Sequence, residues 1–163
     1  STQAKTLFPY TTLFRSVRFS VPDHKLNVLG NIVKAFLVKP VGPTEKIEHS
    51  VKPDTTAEYG KYLVNNVANC SGCHTNRLPT GELTGEPFAG GKIEEGKNIF
   101  YPPNITPHPE SPIYHWTEND FIQRFQKGKI ISNSIMPWNN FQRMSTDEVK
   151  AIYKYLRTVK PAP

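Results

Sequence analysis

Apolar residues recur three or four positions apart in four stretches of the chain, and this is the spacing of an amphipathic helix. The first such stretch lies between Asp23 and Lys39. The second starts at a helix cap, either Asp54 or Thr55, and is predicted to run to about Val67. The apolar residues of these two predicted helices are Leu26, Leu29, Ile32, Val33 and Phe36, followed by Tyr59, Tyr62, Leu63 and Val67.

Two further helices are predicted nearer the C-terminus, each with its own start signal. The third opens with the capping pair Thr117 and Asp120 and is predicted to end at Gly128. The last opens with a capping box formed by Ser145 and Glu148. The apolar residues of these helices are Phe121, Ile122 and Phe125, followed by Val149, Ile152, Tyr153, Leu156 and Val159.

Residues 75–115 contrast with the predicted helices, because they contain five glycines and seven prolines and few helical signals. A stretch this long without secondary structure is unusual inside a compact domain. It is therefore predicted to wrap a bound group that supplies the missing core.

Charge is unevenly distributed along the chain, and this narrows the classes of partner. The formal net charge is +6, but residues 54–163 hold twelve basic and eleven acidic side chains, so the basic surplus lies in the N-terminal third. A nucleic-acid-binding domain carries basic residues clustered on its folded surface, which this distribution does not favour. No apolar run reaches the roughly 18 residues of a membrane span.

The two cysteines of the chain, Cys70 and Cys73, are followed at once by His74 in the sequence CSGCH, the attachment signature of c-type haem. Each thiol adds to one haem vinyl group, and the two intervening residues let both thiols reach the same porphyrin edge. The histidine then lies under the iron as its proximal ligand. The alternatives are a structural disulfide, half of a zinc site and a thioredoxin-like pair. The chain has no second Cys or Cys/His pair to complete a zinc site and lacks the βαβ context of a thioredoxin.

The sixth coordination position of the iron has four candidate ligands: Met136, Met144, His108 and His115. Met136 is favoured because a proline follows it and because it lies about sixty residues beyond His74, after a predicted helix and a loop. Met144 is predicted to pack beneath the last helix, and His108 is interpreted as a surface histidine. His115 is a weaker candidate for a hydrogen bond near the haem. Ligation by histidine and methionine is typical of electron transfer, because a thioether ligand raises the reduction potential.

Residues 54–163 resemble the class I cytochrome c domain throughout, in GKYLV before CSGCHT and then in PFAGG, NIT, WTENDF, MPW and STDEVKAIYKYLRTV. They look most like the c-type cytochrome subunits of membrane-associated bacterial dehydrogenases. The resemblance implies an all-α class I cytochrome c fold, with three to five helices around one covalent haem and long irregular loops. It also implies that the first and last helices of the domain cross at Gly60, with Tyr155 or Leu156 opposite.

The resemblance further implies which residues contact the cofactor. Cys70 and Cys73 attach a single haem c, and His74 and Met136 ligate its iron. Four more positions match residues that line the haem or its propionates in similar domains, with packing inside the protein as the alternative role of each: Asn104, Thr106, Trp116 and Trp138. The sequence departs from the family at PHPE (107–110), where relatives often carry Asp after the proline, and no metal is predicted there.

Two stretches precede the predicted domain. Residues 6–16, TLFPYTTLFRS, match the conceptual translation of a common sequencing adapter codon by codon, so residues 1–16 are interpreted as adapter-derived, the alternative being a natural arm. Residues 17–53 are interpreted as a connector with a short helix, which resembles the segment between the haem domains of two-haem relatives. The hypothesis is that this chain is the C-terminal module of a larger cytochrome, and that an export signal and an upstream haem domain have been lost.

These features predict an electron-transfer module, not an enzyme, that moves one electron at a time between redox protein partners in a respiratory or dehydrogenase chain. The alternatives are a haem enzyme with an open or labile sixth iron position (a peroxidase or a sulfur-compound oxidoreductase) and a gas-binding or structural haem module. The resemblance implies a periplasmic location and a dehydrogenase subunit among the partners. A membrane tether in the full-length protein is left open.

Overall fold

The computed structural model describes residues 25–39, 42 and 51–163. The chain divides into two compact units between Ile47 and Glu48. The stretch interpreted as adapter-derived, residues 1–16, lies outside the described residues, as does much of the predicted connector. The predicted domain limits, at residues 16 and 53, therefore stay predictions.

The first unit contains one described helix, α1 (Val28–Phe36). Asn27 caps it, because its side-chain oxygen accepts a hydrogen bond from the backbone N–H of Gly30 at 2.7 Å. A helix in this stretch is thereby confirmed, although it is shorter than the interval in which it was predicted. Its large apolar side chains are exposed. Among the described residues, no helix has both the length and the apolar character that crossing a membrane requires.

The second unit contains five helices, a π-helical turn and a two-stranded hairpin. In chain order these are α2 (Ala57–Tyr62), the π-helical turn Leu63–Val67, α3 (Ser71–His74), β1 (Ile93–Glu95), β2 (Asn98–Phe100), α4 (Glu118–Gln126), α5 (Trp138–Phe141) and α6 (Thr146–Leu156). The five helices agree with the predicted number, and long loops connect them.

The start signals of α4 and α6 are confirmed. Thr117 and Asp120 form a capping box at α4, and Ser145 and Glu148 form one at α6, so that in each pair the side chains accept hydrogen bonds from each other's backbone N–H. The predicted end of α4 is confirmed as well. Gly128 follows the helix with φ +62°, a backbone conformation that glycine adopts without strain.

The start of α2 differs from the prediction, because neither Asp54 nor Thr55 caps the helix. Thr56 is the cap, and its hydroxyl oxygen accepts a hydrogen bond from the backbone N–H of Tyr59 at 3.2 Å. Asp54 instead accepts hydrogen bonds from the backbone N–H and the hydroxyl of Thr56, at 2.7 and 2.6 Å. The aspartate therefore orients the cap without being the cap.

The apolar face of α2 also differs from the prediction beyond its first turn. Tyr62 and Val67 were predicted to face the core and are exposed, whereas Val64 is fully buried. For Val64 and Val67 the reason is that the chain changes to π-helical hydrogen bonding over Leu63–Val67, whereas Tyr62 precedes this turn and lies on the exposed side of α2. A π-helical turn inserts one residue into the helical repeat, so the residues after it no longer follow the α-helical spacing.

The predicted crossing of α2 and α6 at Gly60 is confirmed. A Cβ atom on Gly60 would lie 2.9 Å from Cβ of Tyr155 and would overlap the backbone carbonyl of Ala151, which was not predicted to take part. The crossing forms the centre of one hydrophobic core. The buried residues of that core are Tyr59, Leu63, Val64, Phe88, Phe121, Ile122, Phe125, Trp138, Val149, Ala151, Ile152 and Leu156.

The hairpin and two short helices were not predicted. β1 and β2 pair antiparallel, and the turn between them contains Gly96 with φ +61°. Each strand has only three residues, which is too few for a recognisable alternation of apolar and polar positions. The helices α3 and α5 have four residues each, so hydrophobic periodicity could not identify them either.

Candidate haem site

The predicted attachment residues lie on one short helix. The carbonyl of Cys70 accepts hydrogen bonds from the backbone N–H of Cys73 at 3.2 Å and of His74 at 2.8 Å. Residues at positions i, i+3 and i+4 of a helical turn share one face, so the two thiols and the imidazole lie on the same side of α3. Both thiols are free, and the structure therefore does not contain the disulfide that the spacing left open.

The two thiols differ in their surroundings. Cys73 is exposed, whereas Cys70 is half-buried and packs against the core. Burial raises the pKa of Cys70 to about 11, so this thiol is uncharged at neutral pH. A thioether has no ionisable proton, and a partly buried apolar position therefore suits the sulfur of an attached haem better than it suits a free thiolate.

His74 has one ring nitrogen occupied. Its Nδ1 lies 2.7 Å from the carbonyl oxygen of Pro103. Because a carbonyl oxygen can only accept, Nδ1 carries the proton, and Nε2 of the neutral ring is left with its lone pair. Burial lowers the pKa of His74, and the hydrogen bond to Pro103 partly opposes that shift. A neutral imidazole whose second nitrogen is fixed by a backbone carbonyl is the form that binds a metal.

Gly90 brings together the backbone segments around His74. Its N–H donates to the carbonyl of His74 at 2.8 Å. It has φ +85°, and a Cβ on it would come within 2.8 Å of Asn104 N and 2.9 Å of the Pro102 carbonyl oxygen. Only glycine allows this approach, which places the Pro103 carbonyl beside the imidazole. The role of Gly90 was not predicted, although the paired glycines in PFAGG are a signal of close backbone approach.

Asn104 and Thr106 hydrogen-bond within the protein. Asn104 Nδ2 donates to the carbonyl of Ala162 at 2.6 Å, and Thr106 Oγ1 lies 3.1 Å from the same oxygen. Asn104 Oδ1 in turn accepts from the backbone N–H and the hydroxyl of Thr106, at 2.8 and 2.7 Å. These bonds attach the C-terminal residues to the segment that contains Pro103. Direct contact of either side chain with haem stays a prediction.

Met136 lies in the loop between α4 and α5 and packs, partly buried, against the core. Hydrogen bonds join the residues on either side of it. The indole Nε1 of Trp138 donates to Ser134 Oγ at 3.0 Å, and the backbone N–H of Trp138 donates to the carbonyl of Met136 at 2.7 Å. Met144 packs against the same core, and its predicted place beneath the last helix stays a prediction. The attachment cysteine Cys70 contacts this core too, so both predicted ligand segments adjoin it.

The remaining candidate residues have different surroundings. Trp138 is buried, and its ring lies 5.9 Å from that of Phe125, centroid to centroid. Trp116 is half-buried, and its carbonyl accepts a hydrogen bond from the Tyr153 hydroxyl at 2.9 Å. Contact of either tryptophan with haem stays a prediction. His115 is exposed, and Nδ1 of the half-buried His108 accepts from the Glu110 N–H at 3.3 Å.

The residues present fit a covalently bound haem. The donors are two free thiols and a neutral imidazole on one helical face, which is the chemistry that attachment and proximal ligation require. Large apolar side chains are exposed in the segments that carry the predicted ligands, and a porphyrin would cover such surface: Val67, Ile130, Ile131 and Ile135. The buried Nη2 of Arg124 has no hydrogen-bond partner among the described residues, and a haem propionate is an acceptor of the kind that it lacks.

One open cleft of about 600 Å³ lies beside the attachment helix but is not this site. Its lining includes Ser71 and Thr75, and it includes neither of the cysteines, nor His74, nor Met136. It is a surface groove between the 83–88 loop and the end of α6.

The residues of the candidate site lie within a region that matches a known protein family. A family model described as Cytochrome c matches residues 57–160. The match spans the attachment helix, the segment that contains Pro103, the loop that contains Met136 and the last helix.

Curated relatives are similar over the same region. The chain is 35% identical over 108 residues to the cytochrome c subunit of the quinone alcohol dehydrogenase of Gluconobacter oxydans (strain 621H), which covers 63% of this chain and 21% of that protein. It is 32% identical over 108 residues to the corresponding subunit of Gluconacetobacter polyoxogenes, a match that covers 63% of this chain and 22% of that protein. It is 31% identical over 107 residues to the fructose dehydrogenase cytochrome subunit of Gluconobacter japonicus, covering 61% and 21%. The chain thus spans about a fifth of the length of the curated relatives it matches.

Proposed function

The chain belongs to the cytochrome c family, whose cofactor is a covalent haem c, and from this premise we propose that His74 and Met136 hold the iron of that haem while the module passes single electrons between protein partners. When bound, the haem supplies an iron centre that gains and loses one electron. The protein's task is to attach the group, orient the two ligands and limit the rearrangement that accompanies a change of charge.

The observation that carries this proposal is the hydrogen bond of 2.7 Å between His74 Nδ1 and the Pro103 carbonyl. It fixes the tautomer and the ring orientation of the proximal ligand before any metal is considered. The same imidazole follows Cys73 on a helical turn, so the attachment points and the ligand are set by one backbone element. A ligand with so little freedom suits a centre that must change charge without changing shape.

Met136 is supported as the sixth ligand by its packing and its neighbours. It contacts the core with partial burial, and the hydrogen bonds between Trp138 and residues 134 and 136 restrict the backbone on both sides of it. A thioether at the sixth position closes the iron to substrates and favours the ferrous state. Electron transfer, without turnover of a substrate at the iron, is therefore the role that we assign to the module.

The partner that we propose is the catalytic subunit of a dehydrogenase, with a further redox protein as acceptor. The support is that the similar proteins are named as cytochrome subunits of quinone alcohol and fructose dehydrogenases. Docking between electron-transfer partners is transient and buries little area, which suits a module that must release its partner after each electron. We place the module outside the cytoplasm, on the periplasmic side of a bacterial membrane.

The ligand assignment can be tested by optical spectra of the haem-loaded protein, comparing wild type with Met136→Ala. Wild-type ferric protein is expected to show the sulfur-to-iron charge-transfer band at the red end of the visible spectrum, and the variant is expected to lose it. Met144→Ala is the matched control, because Met144 is the other methionine of the chain and packs against the same core. The control should keep the band.

Two results would contradict the proposal. A high-spin ferric wild type that Met136→Ala leaves unchanged would mean an open iron, which favours a haem enzyme. Loss of the band in Met144→Ala but not in Met136→Ala would move the sixth ligand to the other methionine.

A further inference from the structure

The guanidinium of Arg124 contacts both ends of the loop that contains Met136. Arg124 lies on α4, and its Nη1 donates to the carbonyl of Gly128 at 2.8 Å, where the loop begins. Its Cζ lies 3.6 Å from the centroid of the Trp138 ring, where the loop ends and α5 begins. Residues 128–138, named here the Met136 segment, are therefore closed at their base by one side chain.

This placement is not explained by charge pairing. Arg124 takes part in none of the salt bridges found among the described residues, and its side chain is only partly exposed. A guanidinium over the face of an indole is attracted to the ring and can still donate hydrogen bonds. Those two contacts, one at each end of the segment, involve Nη1 and Cζ, and they leave the buried Nη2 without a partner among the described residues.

Trp138, which contacts Arg124, is also hydrogen-bonded to Ser134 and to the backbone of Met136. Its ring is buried, and its indole N–H donates to the Ser134 hydroxyl at 3.0 Å, on the other side of Met136. Its own backbone N–H donates to the Met136 carbonyl at 2.7 Å. The tryptophan side chain therefore connects the base of the segment to the turn that presents the methionine.

We propose that Arg124, acting through Trp138, is a positioning residue that closes the Met136 segment and sets how readily the methionine leaves the iron. This inference rests on the proposed ligation by Met136. Ligand loss requires the segment to move outward, and movement of its ends must break the stack on Trp138 or the hydrogen bond to Gly128. Loosening either contact raises the population of the form in which the methionine is off the iron.

Imidazole binding to the ferric protein measures that population directly. Imidazole can bind only where the methionine has left, so its apparent affinity is reduced in proportion to the scarcity of that form. Arg124→Leu removes the stack and the hydrogen bond and keeps an apolar stem over the ring. We expect it to raise the apparent affinity for imidazole about tenfold, given the usual strengths of a partly buried cation–π contact and one hydrogen bond.

Three further variants separate contact from charge. Arg124→Lys keeps the charge but lacks the planar fork, so it should behave much like the leucine variant. Lys129→Met removes a positive charge from an exposed position in the same segment and should leave the imidazole affinity unchanged. Trp138→Phe keeps a ring for the guanidinium and loses the indole N–H, so it should raise the affinity by about threefold only.

The outcomes distinguish this inference from the proposed function. If Met136→Ala abolishes the charge-transfer band while Arg124→Leu binds imidazole as wild type does, Met136 is the ligand and the positioning role of Arg124 is wrong. If Lys129→Met raises the affinity as much as Arg124→Leu does, the effect is electrostatic and the positioning role is again wrong. If Met136→Ala leaves the spectrum unchanged, both proposals fail. Should Arg124→Leu not fold, Arg124→Lys and Trp138→Phe decide the matter in the same assay.

Discussion

The two segments that carry the predicted iron ligands are built in different ways. The attachment segment, residues 70–74, is organised by its backbone: one helical turn, the N–H of Gly90 and the carbonyl of Pro103 fix His74. The Met136 segment is organised by side chains, because a guanidinium, an indole and the Ser134 hydroxyl define its shape.

This difference has a consequence for how each ligand responds to mutation. Backbone hydrogen bonds survive most substitutions, so the orientation of His74 depends mainly on whether glycine is kept at position 90. The contacts around Met136 can each be removed by one substitution, since each depends on one side-chain group. If Met136 is the sixth ligand as proposed, its hold on the iron is therefore the property that sequence change can adjust most easily while the haem stays attached.

The largest effect is expected from substitutions in the attachment segment itself. The double variant Cys70→Ser/Cys73→Ser lacks both sulfur atoms that form the two thioether bonds. We expect complete loss of covalently bound haem, measured as haem staining after denaturing electrophoresis. Ser71→Ala, between the two cysteines, is the control and should stain as strongly as wild type. A double variant that still retains haem under denaturing conditions would rule out attachment through these two sulfurs.

A second, smaller effect is expected where α2 crosses α6, since α2 precedes the attachment segment in the chain. Gly60→Val would drive a branched side chain into the Ala151 carbonyl and towards Tyr155. Overpacking of this kind costs about 3 kcal/mol when backbone is in the way, and the free energy of unfolding from denaturant titration should fall by that amount. The neighbouring exposed residue provides a control in Lys61→Ala, which should change stability little.

The Gly60→Val variant also tests whether the helix crossing and the Met136 segment respond independently to mutation. Folded Gly60→Val protein should keep the charge-transfer band that we propose for Met136, because the atoms nearest to a Cβ on Gly60 belong to Ala151 and Tyr155 and not to residues 128–138. A loss of stability below about 1 kcal/mol would mean that the helices can separate there at little cost, contrary to the tight approach of their backbones.

The sequence predicted the parts of this molecule that depend on local chemistry. The attachment motif and the capping boxes of α4 and α6 could be identified from residue type and spacing, whereas the crossing at Gly60 was implied by the resemblance. Each follows from a rule that needs only a few neighbouring residues, or from resemblance to a known domain. The helical fold of the domain follows from the same signals.

The parts that were missed depend on contacts between distant segments. The Arg124–Trp138 stack joins residues fourteen positions apart, and no local pattern indicates it. The role of Gly90 depends on the segment around Asn104 approaching it. Val67 is exposed because a π-helical turn inserts one residue into the helical repeat. A prediction from hydrophobic spacing counts with the α-helical repeat throughout and therefore misses this shift.

The smallest predicted effect concerns the start of α4, the helix that carries Arg124. The hydroxyl and the backbone N–H of Thr117 donate to Asp120 Oδ2 at 2.7 and 2.9 Å, and these bonds lower the pKa of Asp120 below its ordinary value of 3.8. The folded state thus favours the charged carboxylate. Its stabilising contribution is fully present above the ordinary pKa and is lost as the pH falls through the lowered one.

Asp120→Asn removes this titration while keeping a side-chain oxygen that can accept the same hydrogen bonds. The free energy of unfolding of wild type should therefore exceed that of the variant near neutral pH. The difference should narrow as the pH falls below the ordinary value of 3.8 and through the lowered pKa of the folded protein. Glu118→Gln is the matched control, because Glu118 lies in the same first turn but outside the capping box. If the difference in free energy of unfolding from wild type narrows equally for both variants, the pH dependence comes from the net charge of the protein. If the stability difference narrows for Asp120→Asn alone, the pH dependence belongs to the capping box at the start of α4.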